Sequence, residues 1–231
     1  MLVGSFLHWM GYGLCHQLPE RSFFGGGVQA PVCARDTGIY FGVLISLAVI
    51  SLLHRGRRPR EFPPLMTWVA IALMIGAMGL DGVTEYAGLR PTTNELRLIT
   101  GLLAGFAIGA ILTPMLNDEL WRESARERVL DTAEKLLVWL AVVPISYAVI
   151  YWVLPLLGVA YPLLIAAAIL GTLTAVNLVI VSMIPVFERR ASKLWQAWAA
   201  ILCALALSLL EIWLSGLLRV ALVAFAVRAA G

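Results

Sequence analysis

Residues 37–60 read TGIYFGVLISLAVISLLHRGRRPR, an unbroken apolar run from Thr37 to Leu53 closed by Arg55, Arg57, Arg58 and Arg60. At about 1.5 Å per residue the run is some 25 Å long, near the roughly 30 Å of hydrocarbon in a bilayer. It is apolar all round, with no polar face to turn toward water. An abrupt basic flank of this kind marks a membrane helix that stops at a water boundary.

The pattern repeats along the chain. Further runs extend from Leu65 to Leu80, Leu98 to Leu116, Leu136 to Leu157, Pro162 to Phe187 and Leu194 to Ser215. Hydrophobic residues make up 61% and charged residues 13%, and the mean hydropathy is +0.88. Soluble domains average about 45–50% apolar and 25% charged. A soluble enzyme, a nucleic-acid binder and a disordered chain are thereby excluded. The fold class is all-α, a polytopic bundle of six transmembrane helices whose first partner is the lipid bilayer. Met1 to Leu14 is short of a full span and is expected at the interface, as a short tilted helix, or as the remnant of a longer span. After Gly216 the apolar chain continues through Arg219 and Arg228 as an interfacial helix or an extension of the sixth span.

Lys and Arg are retained on the cytoplasmic side, so their placement sets the orientation. The first, third and fifth connections hold eleven: Arg55, Arg57, Arg58, Arg60, Arg122, Arg126, Arg128, Lys135, Arg189, Arg190 and Lys193. The opposite side holds four: Arg21, Arg35, Arg90 and Arg97. The chain up to Asp36 is therefore expected outside. That topology sets two polar segments on one side. The first runs Cys15-His16-Gln17-Leu18-Pro19-Glu20-Arg21-Ser22-Phe23 and, after Gly25-Gly26-Gly27, Cys33-Ala34-Arg35-Asp36-Thr37-Gly38-Ile39-Tyr40. The second holds Asp81-Gly82, Glu85 and Arg90-Pro91-Thr92-Thr93-Asn94-Glu95-Leu96-Arg97-Leu98-Ile99-Thr100-Gly101.

These strings resemble an uncharacterised prokaryotic membrane-protein family, domain of unknown function 2085, over roughly Tyr12 to Gly105. The resemblance implies a polytopic membrane protein with a Cys/His/Cys/Cys set that looks like a metal site, and no assigned activity. Where the family carries its last cysteine this chain has Asp36. The organisation is then a family-like membrane domain over 1–117, a cytoplasmic amphipathic connection over 118–135 and C-terminal membrane helices over 136–231.

Taken by themselves, Cys15, His16, Cys33 and Asp36 offer soft sulfur, borderline nitrogen and hard oxygen, and zinc accepts all three. Cys33-x-x-Asp36 can turn two ligands onto one ion, whereas adjacent Cys15 and His16 do so less naturally. The alternative is a Cys15 to Cys33 disulfide, which outward-facing thiols form readily. Cys203, in the last span, reads as a small core residue.

In the second segment Arg90 and Arg97 can grip a phosphate or carboxylate, with Asp81, Glu85 and Asn94 around them and the third helix starting beside them. The structural alternative pairs Asp81 with Arg97 to fix two helix ends, with Thr93 as a cap. Glu211 is the one acidic residue inside the spans, set to reach the site, to snorkel to the interface or to pair with Arg219, and Asn177 reads as an interhelical hydrogen bond. Gly101, Gly105 and Gly109 form a packing stripe. Asn117 to Lys135, with mixed charges, reads as a solvated helix. His8 and His54 have no evident partner.

Nucleotide-binding loops, HExxH and nucleophile elbows do not occur in the sequence. Three functional readings follow. The favoured one is a scaffold or accessory subunit of a membrane complex. The alternative is a metal-dependent membrane enzyme acting on a lipid-linked or phosphorylated substrate, with Glu85 or Glu20 moving a proton. A small-anion carrier is disfavoured, because Glu211 and Asn177 alone are too few to line a polar path.

Overall fold

The computed structural model describes residues 2–230. Among them the α-helices are α1 (Leu2–Tyr12), α2 (Ala34–Leu53), α3 (Leu65–Tyr86), α4 (Asn94–Leu120), α5 (Ala133–Ala148), α6 (Ala160–Ser182) and α7 (Trp198–Ala230). Four short strands accompany them: β1 (Ser22–Gly25), β2 (Val28–Cys33), β3 (Pro59–Glu61) and β4 (Ala125–Arg128). Six stretches are long and apolar enough to cross a membrane: α2, α3, α4, Ala133–Leu157, α6 and Leu194–Arg228. The fourth bends through a π turn at Val149–Val153 and a 3-10 turn at Leu154–Leu157. Pro144 and Pro155 withhold backbone donors there, which explains the departure from a regular helix.

The centre of the bundle is the contact of α2 with α4, and small residues let the two backbones meet. A Cβ on Gly101 would strike the Arg35 carbonyl, and one on Gly105 would strike Ile39 and Gly42. Gly109 faces Ser46 and Val43 in the same way. The stripe thus packs within the chain. Ser46 then donates to the Phe106 carbonyl at 3.0 Å and accepts from the indole of buried Trp139 at 2.9 Å, tying α5 to the pair.

The basic connections gather at one end. Ala125–Arg128 is a strand parallel to β3, and the expected solvated helix over Asn117 to Lys135 does not form. Charge spacing alone would also permit helical pairs such as Asp118 with Arg122, but the structure spends these charges between the loops, Arg57 to Glu127 at 3.1 Å and Arg128 to Glu61 at 3.9 Å. His54, also expected to lack a partner, is 3% exposed and accepts the Leu130 N–H at 3.3 Å. Lys135 stands 3.5 Å away and Glu127 3.7 Å. Burial, followed by the nearby Lys135 charge, lowers the pKa of this imidazole.

Helix α7 corrects two more expectations. It runs unbroken past Gly216, extending the sixth span, and it buries a single stripe of Ala200, Ala204, Ser208 and Ile212. Cys203 falls off that stripe and is exposed, so it is not a core residue. Glu211 neither reaches the polar rim nor pairs with Arg219. It accepts from Asn177 Nδ2 at 2.8 Å, the interhelical bond for which Asn177 was read.

Candidate functional site

At the end opposite the basic loops, the β1–β2 hairpin packs on α1 and on the start of α6, where Gly25 meets Gly158 and Pro162. The hairpin pairs Ser22 with Cys33 and Gly25 with Val28, and turns on Gly26 and Gly27, both at positive φ (56° and 76°). Glycines adopt this two-residue turn without steric cost. Gln17, also at positive φ, anchors the preceding loop: its amide donates to the His8 and Pro31 carbonyls at 3.0 and 2.9 Å, and its own carbonyl accepts from Gln29. Cys15 on the loop is thereby brought to Cys33 at the end of β2.

Cys33 immediately precedes α2, which places Asp36 in the first turn. Cys15, Cys33 and Asp36 each present a donor atom within 4.8 Å of the other two. The Cys15 sulfur accepts the Cys33 backbone N–H at 3.3 Å, and the Cys33 thiol donates to Asp36 Oδ2 at 3.2 Å. Both cysteines are free thiols. Contact with the Cys33 thiol lowers the pKa of Cys15, whereas contact with Cys15, burial and the Asp36 charge raise that of Cys33. His16 stands outside the trio and lines, with Arg21, Arg35 and Tyr86, a cavity of about 160 Å³ beside it.

Donor chemistry fits a zinc-like ion. Two sulfurs at about 2.3 Å and a carboxylate oxygen at about 2.0–2.2 Å from one tetrahedral centre lie some 3.5–4 Å apart, a modest closure from the spacing here. Held by these three residues, such an ion would need a fourth donor to complete a tetrahedron.

Next to the trio lies an ionic lattice. Asp81, Glu85, Asn94 and Arg97, expected between the second and third spans, sit on helix ends, since α3 continues six residues past Leu80 and α4 begins four before Leu98, while Arg90 and Thr92 stay in the turn between them. Asp81 and Glu85, one turn apart on α3, meet four arginines. Asp81 takes Arg35 at 2.5 Å and Arg90 at 2.7 Å, and also accepts from Thr92 and Thr100 at 3.2 and 3.3 Å. Glu85 takes Arg97 at 2.6 Å, Arg35 at 3.0 Å and Arg21 at 3.3 Å. Asp81 and Arg97, expected to pair with each other, therefore serve different partners. Asp81 is 1% and Arg97 7% exposed. Burial at this depth holds only because nearly every lone pair is satisfied. Asn94 orients Arg97 at 2.8 Å and donates to the Glu20 carbonyl, and Thr93 caps α4 through the Leu96 N–H.

Arg35 joins the two segments, and reading by clusters overlooked it because it sits among the metal-type residues and not beside the acids it serves. Arg21 was overlooked likewise. Arg219 is the third such residue: its guanidinium donates to the Tyr12 and Cys15 carbonyls from more than two hundred positions away, a relation with no local sequence signal.

A family model described as a predicted membrane protein (DUF2085) matches residues 15–111, which hold the trio and the ionic lattice. An uncharacterized protein of Methanocaldococcus jannaschii is 37% identical over 110 residues, covering 48% of this chain and 68% of the relative. Another, from Methanothermobacter thermautotrophicus, is 37% identical over 104 residues, covering 45% of this chain and 87% of the relative. No solved structure matches.

Proposed function

The chain belongs to the DUF2085 family of predicted membrane proteins, and from that membership we propose that it is an accessory or scaffold protein of a membrane complex, built around a zinc-type site held by Cys15, Cys33 and Asp36. The observation that carries the reading is the meeting of those three donor atoms within 4.8 Å, on a loop and a helix start braced by buried ion pairs. The bracing supports a structural role. Asp81 and Glu85 are consumed by arginines, so neither is free to act as a base, and Arg90 and Arg97 are already committed to carboxylates.

In this reading the trio and the lattice face outward from a prokaryotic cytoplasmic membrane, and the eleven basic residues of the other end face inward, as retention of Lys and Arg favours. His16 contributes to the cavity wall and not to the ion. A second reading, a metal-dependent enzyme acting on a lipid-linked or phosphorylated substrate, is supported by one feature: the trio lines the same cavity as Arg21 and His16. Bound there, the metal would polarise a phosphoryl oxygen.

Elemental analysis of the detergent-purified chain, with thiols counted before and after reductant, tests the site. One zinc per chain, with two thiols that become reactive on chelation, is the expected result. Two thiols that appear only after reductant, with no metal, overturn it.

A further inference from the structure

Cys15 is held by a part of the chain that the family match does not cover. Helix α1 ends at Tyr12, and the Gly11 carbonyl takes the N–H groups of both Leu14 and Cys15 at 3.0 Å. The last carbonyls of a helix lack partners one turn on, and a cation placed there is favourable. Arg219 of α7 fills that place. Its guanidinium donates to the Tyr12 carbonyl and, at 2.5 Å, to the Cys15 carbonyl, and it lies over the Tyr12 ring at 4.5 Å. From Trp198 to Arg219 the helix rises about 32 Å, which brings the side chain to the level of the thiols. Gly13 makes the approach possible, since a Cβ there would collide with Ser215 Oγ and the Gly216 backbone.

We infer that Arg219 is a positioning residue for Cys15, and that the seating of α7 against the Gly13 loop sets the metal affinity of the site. The inference rests on the zinc reading above. Both backbone groups of Cys15 are fixed, the N–H by Gly11 and the carbonyl by Arg219, while its sulfur accepts from Cys33. Removing the guanidinium frees the carbonyl, and with it the direction of the thiol. Residues that orient metal ligands from outside the coordination sphere change affinity by about 10- to 100-fold.

The test uses the full chain in detergent: wild type, Arg219→Ala, Arg219→Lys and, as an independent lever, Gly13→Ala, which pushes α7 away and keeps the charge. Zinc affinity is read by competition with a chromophoric chelator. The alkylation rate of Cys15 in the metal-free protein is read relative to Cys203 in the same molecule. Arg219→Ala and Gly13→Ala are expected to weaken zinc by about 10- to 100-fold and to change the Cys15 rate, with Arg219→Lys recovering part of both. Wild-type affinity and wild-type Cys15 reactivity in Arg219→Ala would overturn the inference. If wild type itself binds no zinc, the metal reading falls, and an unchanged Cys15 rate in Arg219→Ala then removes the positioning role as well. Should Arg219→Ala fail to fold, Arg219→Lys and Gly13→Ala decide by the same two readings.

Discussion

Arg35 Nη2 lies 2.5 Å from Asp81 Oδ2, so the first turn of α2 and the closing turns of α3 are fastened by one charge-assisted hydrogen bond across 46 positions of sequence. Arg35 follows Cys33 by two residues. The ionic lattice and the thiol site therefore share a helix start, and disturbing one moves the other.

Asp81→Ala removes the carboxylate that holds Arg90 and the nearer of the two that hold Arg35, which keeps Glu85 at 3.0 Å. The loss is expected to be about 2–3 kcal/mol, below the roughly 3–5 kcal/mol of a buried charge left with no partner. Arg90→Ala, at the exposed edge of the same lattice with 39% of its side chain accessible, is expected to cost under about 1 kcal/mol. SDS unfolding of the purified protein measures both, and equal losses would contradict the ranking.

Gly101→Ala places a methyl group against the Arg35 carbonyl. Overpacking of this kind costs about 1–3 kcal/mol, and here it also shifts Arg35 from Asp81. Gly76→Ala meets open space and is expected to change stability by no more than about 0.5 kcal/mol. The same unfolding experiment compares them.

The lowered pKa of His54 gives stability a defined pH dependence. Folding favours the neutral ring, so its contribution is complete above the ordinary value of 6.5 and is lost as pH falls below it toward the folded pKa. Each pH unit in that window costs up to about 1.4 kcal/mol. Thermal midpoints at pH 7.5 and 5.5 should show wild type losing stability on acidification, and His54→Leu should be weaker at pH 7.5 but flatter between the two.

Sidedness is open to labelling with an impermeant maleimide on intact cells, in a background where Cys15, Cys33 and Cys203 are serine. Leu89→Cys, on the exposed turn between α3 and α4, should react from outside, and Glu123→Cys, at the basic end, should react only after lysis. The opposite pattern would invert the orientation.

The helix count was readable from apolar windows because a bilayer requires about 20 such residues in a row. Helix ends were not. Asp81, Glu85 and Arg97 look like loop punctuation in a linear chain, yet each lies within a helix, since a partner from another helix neutralises it. Cys15 and Cys33 were recognisable as a pair of donors, but His16, adjacent to Cys15, is not among the three residues whose donor atoms meet within 4.8 Å, which neighbourhood in sequence cannot reveal. Strand β4 was hidden for the same reason: Ala125–Arg128, with three charged residues in four, pairs as a strand where Pro59–Glu61 lies beside it.

Helix α7 has one more consequence. Its 33 residues make a rod of about 50 Å in a slab of hydrocarbon about 30 Å deep, and Leu222, Phe225 and Val227 near its far end are exposed and greasy. Hydrophobic mismatch of that size is relieved by leaning the rod or by thickening the lipid around it. The protein should accordingly feel the depth of its host membrane. Short-chain lipids would load the close approach of Gly13 to Ser215, long-chain lipids would relax it, and the thiols beneath would register the difference.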